Sequence, residues 1–269
     1  MKLLIINIVF IFVIGIIVIH KDIKNILITF KFISNNYNPV DYKKRRILIL
    51  TVENRNLEYI NLHNEIMEKY AELNNYSYIH LESCNDHNIT VYWCKIYKVL
   101  EYLKTGEYDY VFWSDSDTIV TDYSTDIDTY ISKFGEKDII IGIDGGYSLF
   151  DGIINILNSG LFLIKNSEKG IQFLEDCIND INNKDECIKD GKEQGFYSLG
   201  CYEQGIMNEL IKNKYSEFVY VDYSKQLIDN ISNKLPFMFS TDYKGLFVHL
   251  PGYPDDKKNE FFKKIKYSD

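Results

Sequence analysis

The sequence lacks the motifs that mark several common nucleotide-binding proteins. It contains neither the G-x-G-x-x-G pattern of dinucleotide-binding folds nor the G-x-x-x-x-G-K-S/T pattern of P-loop proteins. No dense cluster of Lys or Arg stands out, and the net charge is −9 with a pI near 5.1, which argues against nucleic acid as a partner. An acidic protein that handles an anionic ligand needs local positive charge, which a divalent cation held by carboxylates would supply.

Cysteine is also scarce. The chain has five cysteines and no C-x-x-C pair, so the spacing argues against a zinc site. An odd number leaves at least one thiol free. Because Cys177 and Cys187 flank a polar, turn-like stretch, we predict that they form a disulfide.

The longest apolar run lies at the N-terminus. Residues 3–19 are apolar except for Asn7 and Gly15, which is about the minimum length that crosses a bilayer. No small-x-small cleavage site follows, so an uncleaved signal anchor is preferred to a cleaved signal peptide. A buried core helix is disfavoured because the run has no polar face. We predict a transmembrane anchor at 1–19, a stem at 20–45 and a folded domain at 46–269.

Glycosylation sequons follow the anchor, at Asn75, Asn88 and Asn230. They suit a lumenal domain, whereas the charges that flank the apolar run do not decide its orientation. We expect a single-pass membrane protein of type II, with its folded domain in the lumen of the Golgi or the endoplasmic reticulum.

Short apolar runs alternate with amphipathic patterns through the rest of the chain. The runs predict strands at 46–51, 76–81, 108–113, 139–143, 160–164 and 218–221, and the patterns predict helices at 56–73, 91–104, 168–181 and 202–212. This alternation predicts an α/β domain whose central sheet is mostly parallel and covered by helices on both faces. In such sheets ligands bind beyond the carboxyl ends of the strands.

Two carboxylates stand at the end of one predicted strand. Asp115 and Asp117 follow the aromatic run 108–113, and at this spacing both can point to one side as the strand turns. Hard oxygen ligands suit Mn²⁺ or Mg²⁺, whose remaining positions diphosphate oxygens can fill. Asp126-x-Asp128 has the same spacing, but no apolar strand precedes it, so we do not expect it to bind a metal.

Five motifs in order carry a resemblance to a known family. They are WCKIYKVL from Trp93, YDYVFWSDSDTIV from Tyr108, LNSGLFLI from Leu157, YEQGI from Tyr202 and VHLPG from Val248. In this order they resemble the family of fungal α-galactosyltransferases, Golgi α-mannosyltransferase subunits and plant xyloglucan xylosyltransferases. The chain is also similar, more distantly, to glycogenin-like enzymes. The resemblance covers about residues 46–255.

The resemblance implies a GT-A fold and a retaining, metal-dependent glycosyltransferase. Such an enzyme transfers a hexose or pentose from a nucleotide-diphospho-sugar to a glycan acceptor. Asp115, Asp117 and His249 would be the metal ligands. Gln204 would lie at the reactive face of the donor sugar, with Glu203 or Asp144 holding hydroxyl groups. The remaining expected donor contacts are Thr51, Lys95, Ser116, Asn158, Ser159, Gly160 and Gly252.

Other interpretations of these residues stay open. A lone His after an apolar run is more often structural, and Glu203 would also stabilise the dipole of the helix that it begins. Lys95 can reach a phosphate or simply face solvent. Glycogenin-like enzymes carry a Lys three residues after the Gly of His-x-x-Gly, but here that residue is Asp255 and the first Lys is Lys257.

Two alternative functions also fit the pattern. One is a nucleotidyltransferase that makes sugar nucleotides on a similar sheet, and the other is a non-catalytic glycan-binding membrane protein. Association with other copies, or with other glycosyltransferases, is a further expectation.

Overall fold

The computed structural model describes residues 44–84, 91–144, 157–184, 187–189, 192–193, 200–231 and 243–266. The anchor predicted at 1–19 and the stem up to residue 43 lie outside these ranges, as does the sequon at Asn88. Within the ranges, no helix has both the length and the apolar character needed to cross a membrane. Residues Arg45–Asp269 form one compact unit.

The described residues contain both strands and helices. The strands are β1 (Ile47–Val52), β2 (Ser77–Leu81), β3 (Tyr110–Ser114), β4 (Thr118–Val120), β5 (Ile139–Ile143), β6 (Leu157–Lys165), β7 (Ile188–Lys189), β8 (Lys192–Glu193), β9 (Val219–Asp222), β10 (Ile228–Asn230) and β11 (Phe247–His249). The α-helices are α1 (Glu58–Asn74), α2 (Cys94–Lys104), α3 (Ile127–Lys133), α4 (Glu168–Asn182), α5 (Glu203–Leu210) and α6 (Asp255–Lys266). A 3₁₀ turn at Val91–Trp93 leads into α2, and a π-helical turn at Ile211–Tyr215 continues α5.

The main sheet is mixed. Its six strands lie in the order β2-β1-β3-β6-β5-β9, and every neighbouring pair is parallel except the two that involve β6. A small sheet of β10, β11 and β4 lies beside it, with β11 parallel to β10 and antiparallel to β4. The α/β prediction is therefore confirmed, and the mostly parallel sheet has one reversed strand.

Alternation along the strands builds a core on each face of the main sheet. In β1, Ile47 and Ile49 join the cluster that packs α1 and α6, whereas Leu48 and Leu50 join the cluster that packs α2 and α4. Successive side chains of a strand point to opposite faces, so both faces are covered. This two-sided burial accounts for the continuous apolar runs in the sequence.

The reversed strand places its first residues at the functional edge. β3 and β5 end at the edge where β6 begins, because β6 runs against both of them. Leu161 of β6 pairs with Ser114, the last residue of β3, and Asn158 pairs with Gly142 of β5. Residues 157–160 therefore lie next to the turn that follows β3.

The disulfide prediction is wrong. Cys187 pairs with Cys201, at a Cα–Cα distance of 4.9 Å, and Cys84 pairs with Cys94. Cys177 is the free cysteine, fully buried on α4. It lies on the apolar face of that helix with Phe173 and packs into the core, so its thiol behaves as a small apolar group.

Candidate functional site

A tight turn presents Asp115 and Asp117 at the end of β3. The backbone N–H of Asp115 donates to Gly160 O at 2.8 Å. The N–H and the hydroxyl of Thr118 donate to Asp115 O at 3.1 and 2.8 Å, which closes the turn. The N–H of Leu250 donates to Asp117 O at 3.0 Å. The two carboxylates are held by backbone contacts to β6 and to the segment after β11.

His249 reaches this turn because β11 lies between β4 and β10. It pairs with Thr118 on one side and Asn230 on the other. Its Nδ1 lies 2.8 Å from Asn230 Oδ1, while Asn230 Nδ2 donates to Ile143 O. An amide oxygen only accepts, so His249 Nδ1 donates to Asn230, and Nε2 faces Asp117.

The three predicted metal ligands converge. His249 Nε2 lies 3.0 Å from Asp117 Oδ1. One ligand atom from each of Asp115, Asp117 and His249 can be chosen so that all lie within 4.8 Å of one another. Residues from two separate segments thus form one cluster of oxygen and nitrogen donors, and their role as metal ligands stays a prediction.

Lys95 lies within the site, buried between two carboxylates. Its Nζ lies 3.1 Å from Asp115 Oδ1 and 3.2 Å from Glu203 Oε1, and it donates to Ser159 O at 3.3 Å. Burial opposes the charge, but Asp115 and Glu203 outweigh it and raise the pKa of Lys95. The solvated interpretation of Lys95 is therefore wrong, because only 8% of its side chain is exposed.

Sequence reasoning missed Lys258, a second lysine at the site. Its Nζ lies 3.1 Å from Asp117 Oδ2, and its side chain is 8% exposed. Burial alone would raise the pKa of Asp117, but the charges and hydrogen bonds of His249 and Lys258 hold that pKa well below its usual range. α6 begins with acidic residues and ends with basic ones, which predicts the helix but not which lysine turns inward.

Glu203 and Gln204 meet the start of β6. Ser159 Oγ donates to Glu203 Oε1 at 2.9 Å, and Ser159 N donates to Gln204 Oε1 at 3.1 Å. Asn158 turns its Oδ1 to the N–H of Gly160, at 2.8 Å. Within the described part of the chain, Glu203 Oε2 is buried and has no hydrogen-bond partner. The site therefore keeps one carboxylate oxygen unsatisfied beside Gln204.

Gly160 makes room for His249. A Cβ on Gly160 would lie 2.1 Å from Cε1 of the imidazole, far inside contact distance. Gly160 was expected to contact the donor, but in the structure the ring of His249 fills the space beside its Cα. Glycine is required here because a protein side chain approaches the backbone closely.

Thr51 and Ser116 face the protein rather than the open edge. Thr51 is fully buried, with its Oγ1 2.8 Å from Ser114 O and 3.1 Å from His63 Nε2. Ser116 donates through Oγ to Glu53 Oε2 at 2.8 Å. The hydroxyl of Thr51 thus supports the end of β3, and its burial does not favour the predicted contact with the donor.

Two more predicted residues lie at the rim. Asp144 is half-buried and directly follows β5, and Ile143 before it pairs with Leu157. Gly252 has a φ of 70° in the turn between β11 and α6. A positive φ suits glycine, so a turn explains this residue without a ligand.

Two sequence patterns prove to be structural. Asp126 caps α3 by accepting from Asp128 N at 2.7 Å, and the side chain of Asp128 pairs with Arg45. Both aspartates of this second pair thus have structural partners. The sequon residue Asn230 is fully buried against His249, so its side chain is inaccessible to glycosylation once the chain has folded. Asn75 ends α1 on the surface in a left-handed conformation.

A comparison of the sequence with family models identifies the activity class. Residues 43–137, from the residues before β1 to those before β5, match the model of the galactosyl transferase GMA12/MNN10 family. The chain is a glycosyltransferase. The resemblance drawn from the motifs is confirmed over this segment, which holds Lys95, Asp115 and Asp117. The motifs around Asn158, Glu203 and His249 lie beyond it, and no curated protein matches the chain.

Solved structures support the fold. A glycosyltransferase involved in the glycosylation of the major capsid of PBCV-1 is 15% identical, with a TM-score of 0.57 over 81% of this chain and 98% of that chain. The glycosyltransferase GlyE of Streptococcus pneumoniae TIGR4 is also 15% identical, with a TM-score of 0.46 over 84% of this chain and 61% of that chain. The first of these likenesses shows that the described α/β fold is one that glycosyltransferases use.

The contact between Gly160 and His249 predicts a sensitive substitution. In Gly160→Ala the new methyl group overlaps the imidazole and must displace it, because β3 and β5 hold the backbone of β6 on both sides. We expect Mn²⁺ affinity to fall roughly tenfold or more, and the free energy of unfolding to fall by about 1–3 kcal/mol, as for other overpacked sites. Metal titration and thermal unfolding measure the two effects.

Gly200→Ala is the matched control, since a Cβ there meets only the ends of the Lys184 and Glu209 side chains. If Gly160→Ala bound Mn²⁺ as tightly as the wild type, metal binding would not depend on the position of the His249 ring over Gly160.

His63 predicts a loss of stability in acid. Its Nδ1 lies 2.7 Å from Thr118 O, and burial lowers its pKa from 6.5 to about 4. A lowered pKa means that the unfolded chain binds a proton more readily, so the stabilising contribution is complete above pH 6.5 and is lost as the pH falls towards 4. Between pH 7 and pH 5 this residue alone should lower the free energy of unfolding by about 2 kcal/mol.

Urea unfolding at several pH values, with His63→Gln as the comparison, isolates the contribution of His63 to the free energy of unfolding. The variant should be less stable at pH 7 and less sensitive to acid. Equal pH slopes in the two proteins would contradict the assignment.

Proposed function

We propose that the protein transfers a hexose or pentose from a nucleotide-diphospho-sugar to a glycan hydroxyl, with a divalent cation and with retention of the anomeric configuration. The observation that carries this proposal is the convergence of Asp115, Asp117 and His249 within 4.8 Å beside two buried lysines. An anionic leaving group needs positive charge nearby. Lys95 and Lys258 supply part of it at this edge of the sheet, and a bound cation would supply the rest. The family match supports the sugar chemistry.

The donor set fits a divalent transition-metal ion. Two carboxylates and one imidazole are available, and Asn230 holds the outer nitrogen of His249 so that Nε2 points inward. An imidazole among the ligands favours Mn²⁺ over Mg²⁺, which prefers oxygen ligands. When bound, the cation would act as a Lewis acid that neutralises charge on the diphosphate.

The charge balance leaves room for both cation and diphosphate. Asp115, Asp117 and Glu203 supply three carboxylates against the two ammonium groups of Lys95 and Lys258. The neighbouring acid Glu53 is already paired with Arg55. Burial alone would raise the pKa of Glu53, but its hydrogen bonds with Arg55 and Ser116 lower that pKa to about 2. The cluster therefore keeps an excess negative charge that attracts a cation, and the cation in turn attracts the diphosphate.

Lys258 is the residue best placed to grip the leaving phosphate. It lies on the Asp117 side of the cluster, and its aliphatic stem and ammonium group are buried beside Tyr59, with Nζ 4.8 Å from the ring centroid. A bound cation would take over the neutralisation of Asp117 and release the ammonium group for phosphate. This assignment replaces the lysine that is missing three residues after Gly252.

The opposite side of the cluster suits the sugar. Glu203 Oε2 is a buried acceptor without a partner among the described residues, which a donor hydroxyl can satisfy. Gln204 contacts the same serine as Glu203, since Gln204 Oε1 accepts a hydrogen bond from Ser159 N. We propose that these two residues orient the sugar, with Asn158 and Asp144 at the rim.

The reaction needs no covalent intermediate on the protein. The bond between the anomeric carbon and the β-phosphate oxygen breaks, and the acceptor hydroxyl attacks the same face of the oxocarbenium-like sugar. The proton of the acceptor hydroxyl passes to the departing phosphate oxygen. Glu203 Oε1 is bonded to Ser159 and paired with Lys95, so this residue serves better as a binding group than as a nucleophile.

The cellular setting is proposed from the sequence. We propose an anchor at 1–19, which lies outside the described residues, and type II topology with the folded domain in the lumen of the Golgi or the endoplasmic reticulum. Association with other glycosyltransferases is a further proposal. Two disulfides in the folded unit suit such an oxidising compartment.

The proposed function predicts metal-stimulated release of nucleoside diphosphate from a nucleotide-sugar. The full chain with Mn²⁺ should act on at least one member of a panel of uridine and guanosine diphosphate sugars, with and without glycan acceptors. Asp117→Asn removes a charged ligand from the proposed metal site, which neutralises the leaving group, and should lower turnover on the order of a hundredfold or more. Asp256→Asn, on the exposed first turn of α6, should leave turnover unchanged. Full activity of Asp117→Asn, or of the wild type in excess chelator, would refute metal dependence.

Adjacent lysines on α6 allow a matched test of the phosphate contact. Lys258 faces Asp117, whereas its neighbour Lys257 is exposed and pairs with Glu260. Lys258→Met should weaken nucleoside diphosphate binding roughly ten- to a hundredfold, because a charge-assisted hydrogen bond is lost. It should also strengthen the binding of Mn²⁺ alone, because a competing cation has gone.

Lys257→Met should change neither quantity. Calorimetric titrations with Mn²⁺ alone and with Mn²⁺ plus nucleoside diphosphate separate the two effects. If Lys258→Met weakened both to the same degree, its role would be limited to supporting Asp117.

A further inference from the structure

Two helices begin at the catalytic edge with little side-chain capping. Lys95 is the second residue of α2, and Glu203 is the first residue of α5. The residues that precede these helices, Trp93 and Tyr202, make no capping hydrogen bond through their side chains. Helix ends without such caps fray readily, so another constraint must fix the two starts.

A disulfide lies at each of these starts. Cys94, bonded to Cys84, is the first residue of α2 and immediately precedes Lys95. Cys201, bonded to Cys187, stands two residues before Glu203. The covalent links therefore lie next to the residues that carry the Lys95–Glu203 ion pair.

The two starts are also in contact with each other. Trp93 Nε1 donates to the backbone oxygen of Cys201 at 3.3 Å. The rings of Tyr92 and Tyr202 meet edge to face, with centroids 5.3 Å apart. Across this contact Lys95 Nζ lies 3.2 Å from Glu203 Oε1. A shift of the segment around Cys201 would be transmitted to both partners of the ion pair.

We propose that the Cys187–Cys201 disulfide is a positioning element for sugar transfer. It holds the start of α5 so that Lys95 and Ser159 keep Glu203 Oε1 in place, which aims the unpartnered Oε2 and the adjacent Gln204 at the donor sugar. This inference rests on the proposed function. Lys95 also contacts Asp115, but Asp117, His249 and Lys258 come from other elements, so the diphosphate side of the site should depend on this link less than the sugar side does.

Reduction makes the link testable. A dithiol reductant attacks one sulfur, the S–S bond breaks, two protein thiols form, and the reductant closes into its own cyclic disulfide. Oxidation by oxidised glutathione reverses the exchange. Cys177 takes no part, because it is buried and unpaired on α4.

The experiment compares the full chain oxidised, reduced with dithiothreitol and reoxidised, together with Cys187→Ser/Cys201→Ser. Cys177→Ala is the control for loss of a buried sulfur. Peptide mapping confirms the state of each cysteine, and all assays run well below the Tm of each protein. We expect kcat to fall about tenfold or more on reduction and in the double variant, since small misplacements of sugar-binding groups cost this much. The Kd for nucleoside diphosphate with Mn²⁺ should change less than about threefold, and reoxidation should restore kcat.

An unchanged kcat in the double variant would overturn the proposal. So would a parallel loss of kcat and nucleoside diphosphate affinity, which would show a purely structural role. If the oxidised wild type transferred sugar from no donor, the proposed function itself would fail, and the inference with it.

Discussion

The mutual repulsion of three carboxylates is the constraint on which this site depends. Asp115, Asp117 and Glu203 lie at one edge of the main sheet, where like charges so close together repel one another. Lys95 lies between Asp115 and Glu203, and Lys258 lies against Asp117. Buried ion pairs add little net stability, because desolvation offsets the attraction. Their value here is that they hold the three carboxylates close enough together to bind a cation.

The reversed strand β6 makes this gathering possible. In a fully parallel sheet the start of a strand would lie at the opposite edge from the ends of its neighbours. Because β6 runs backwards, Ser159 and Gly160 stand beside the turn that carries Asp115. The small sheet then brings His249 over Gly160, where the absence of a side chain leaves space for the ring. Backbone direction and one glycine thus decide where the imidazole lies.

The parts of the site that follow from local pattern could be predicted from sequence. An aromatic apolar run that ends in Asp115 and Asp117 marks a strand exit, and the continuous runs reflect burial on both faces. His249 came from the family resemblance, since an isolated His at the end of a three-residue strand has no periodic signal. Lys258 was missed because the choice between two adjacent lysines depends on how α6 packs against α1, a contact between distant parts of the chain.

The prediction of the disulfide pairing failed because it too depends on contacts between distant parts of the chain. Cys177 and Cys187 are ten residues apart in sequence, but the helical periodicity of α4 turns Cys177 into the core beside Phe173. Cys201 reaches Cys187 only when the start of α5 has docked. Pairing of cysteines follows tertiary proximity, which spacing alone does not determine.

The burial of Asn230 has a consequence for biogenesis. In a secretory lumen, sequons are modified while the chain is still emerging and unfolded, and the acceptor nitrogen of this sequon is the one that bonds to Ile143 O in the folded protein. A glycan attached there would keep β10 from lying beside β11, and His249 would lose its partner. If the chain matured in such a compartment, folding of the small sheet around Asn230 would compete with attachment of an oligosaccharide to the same side chain.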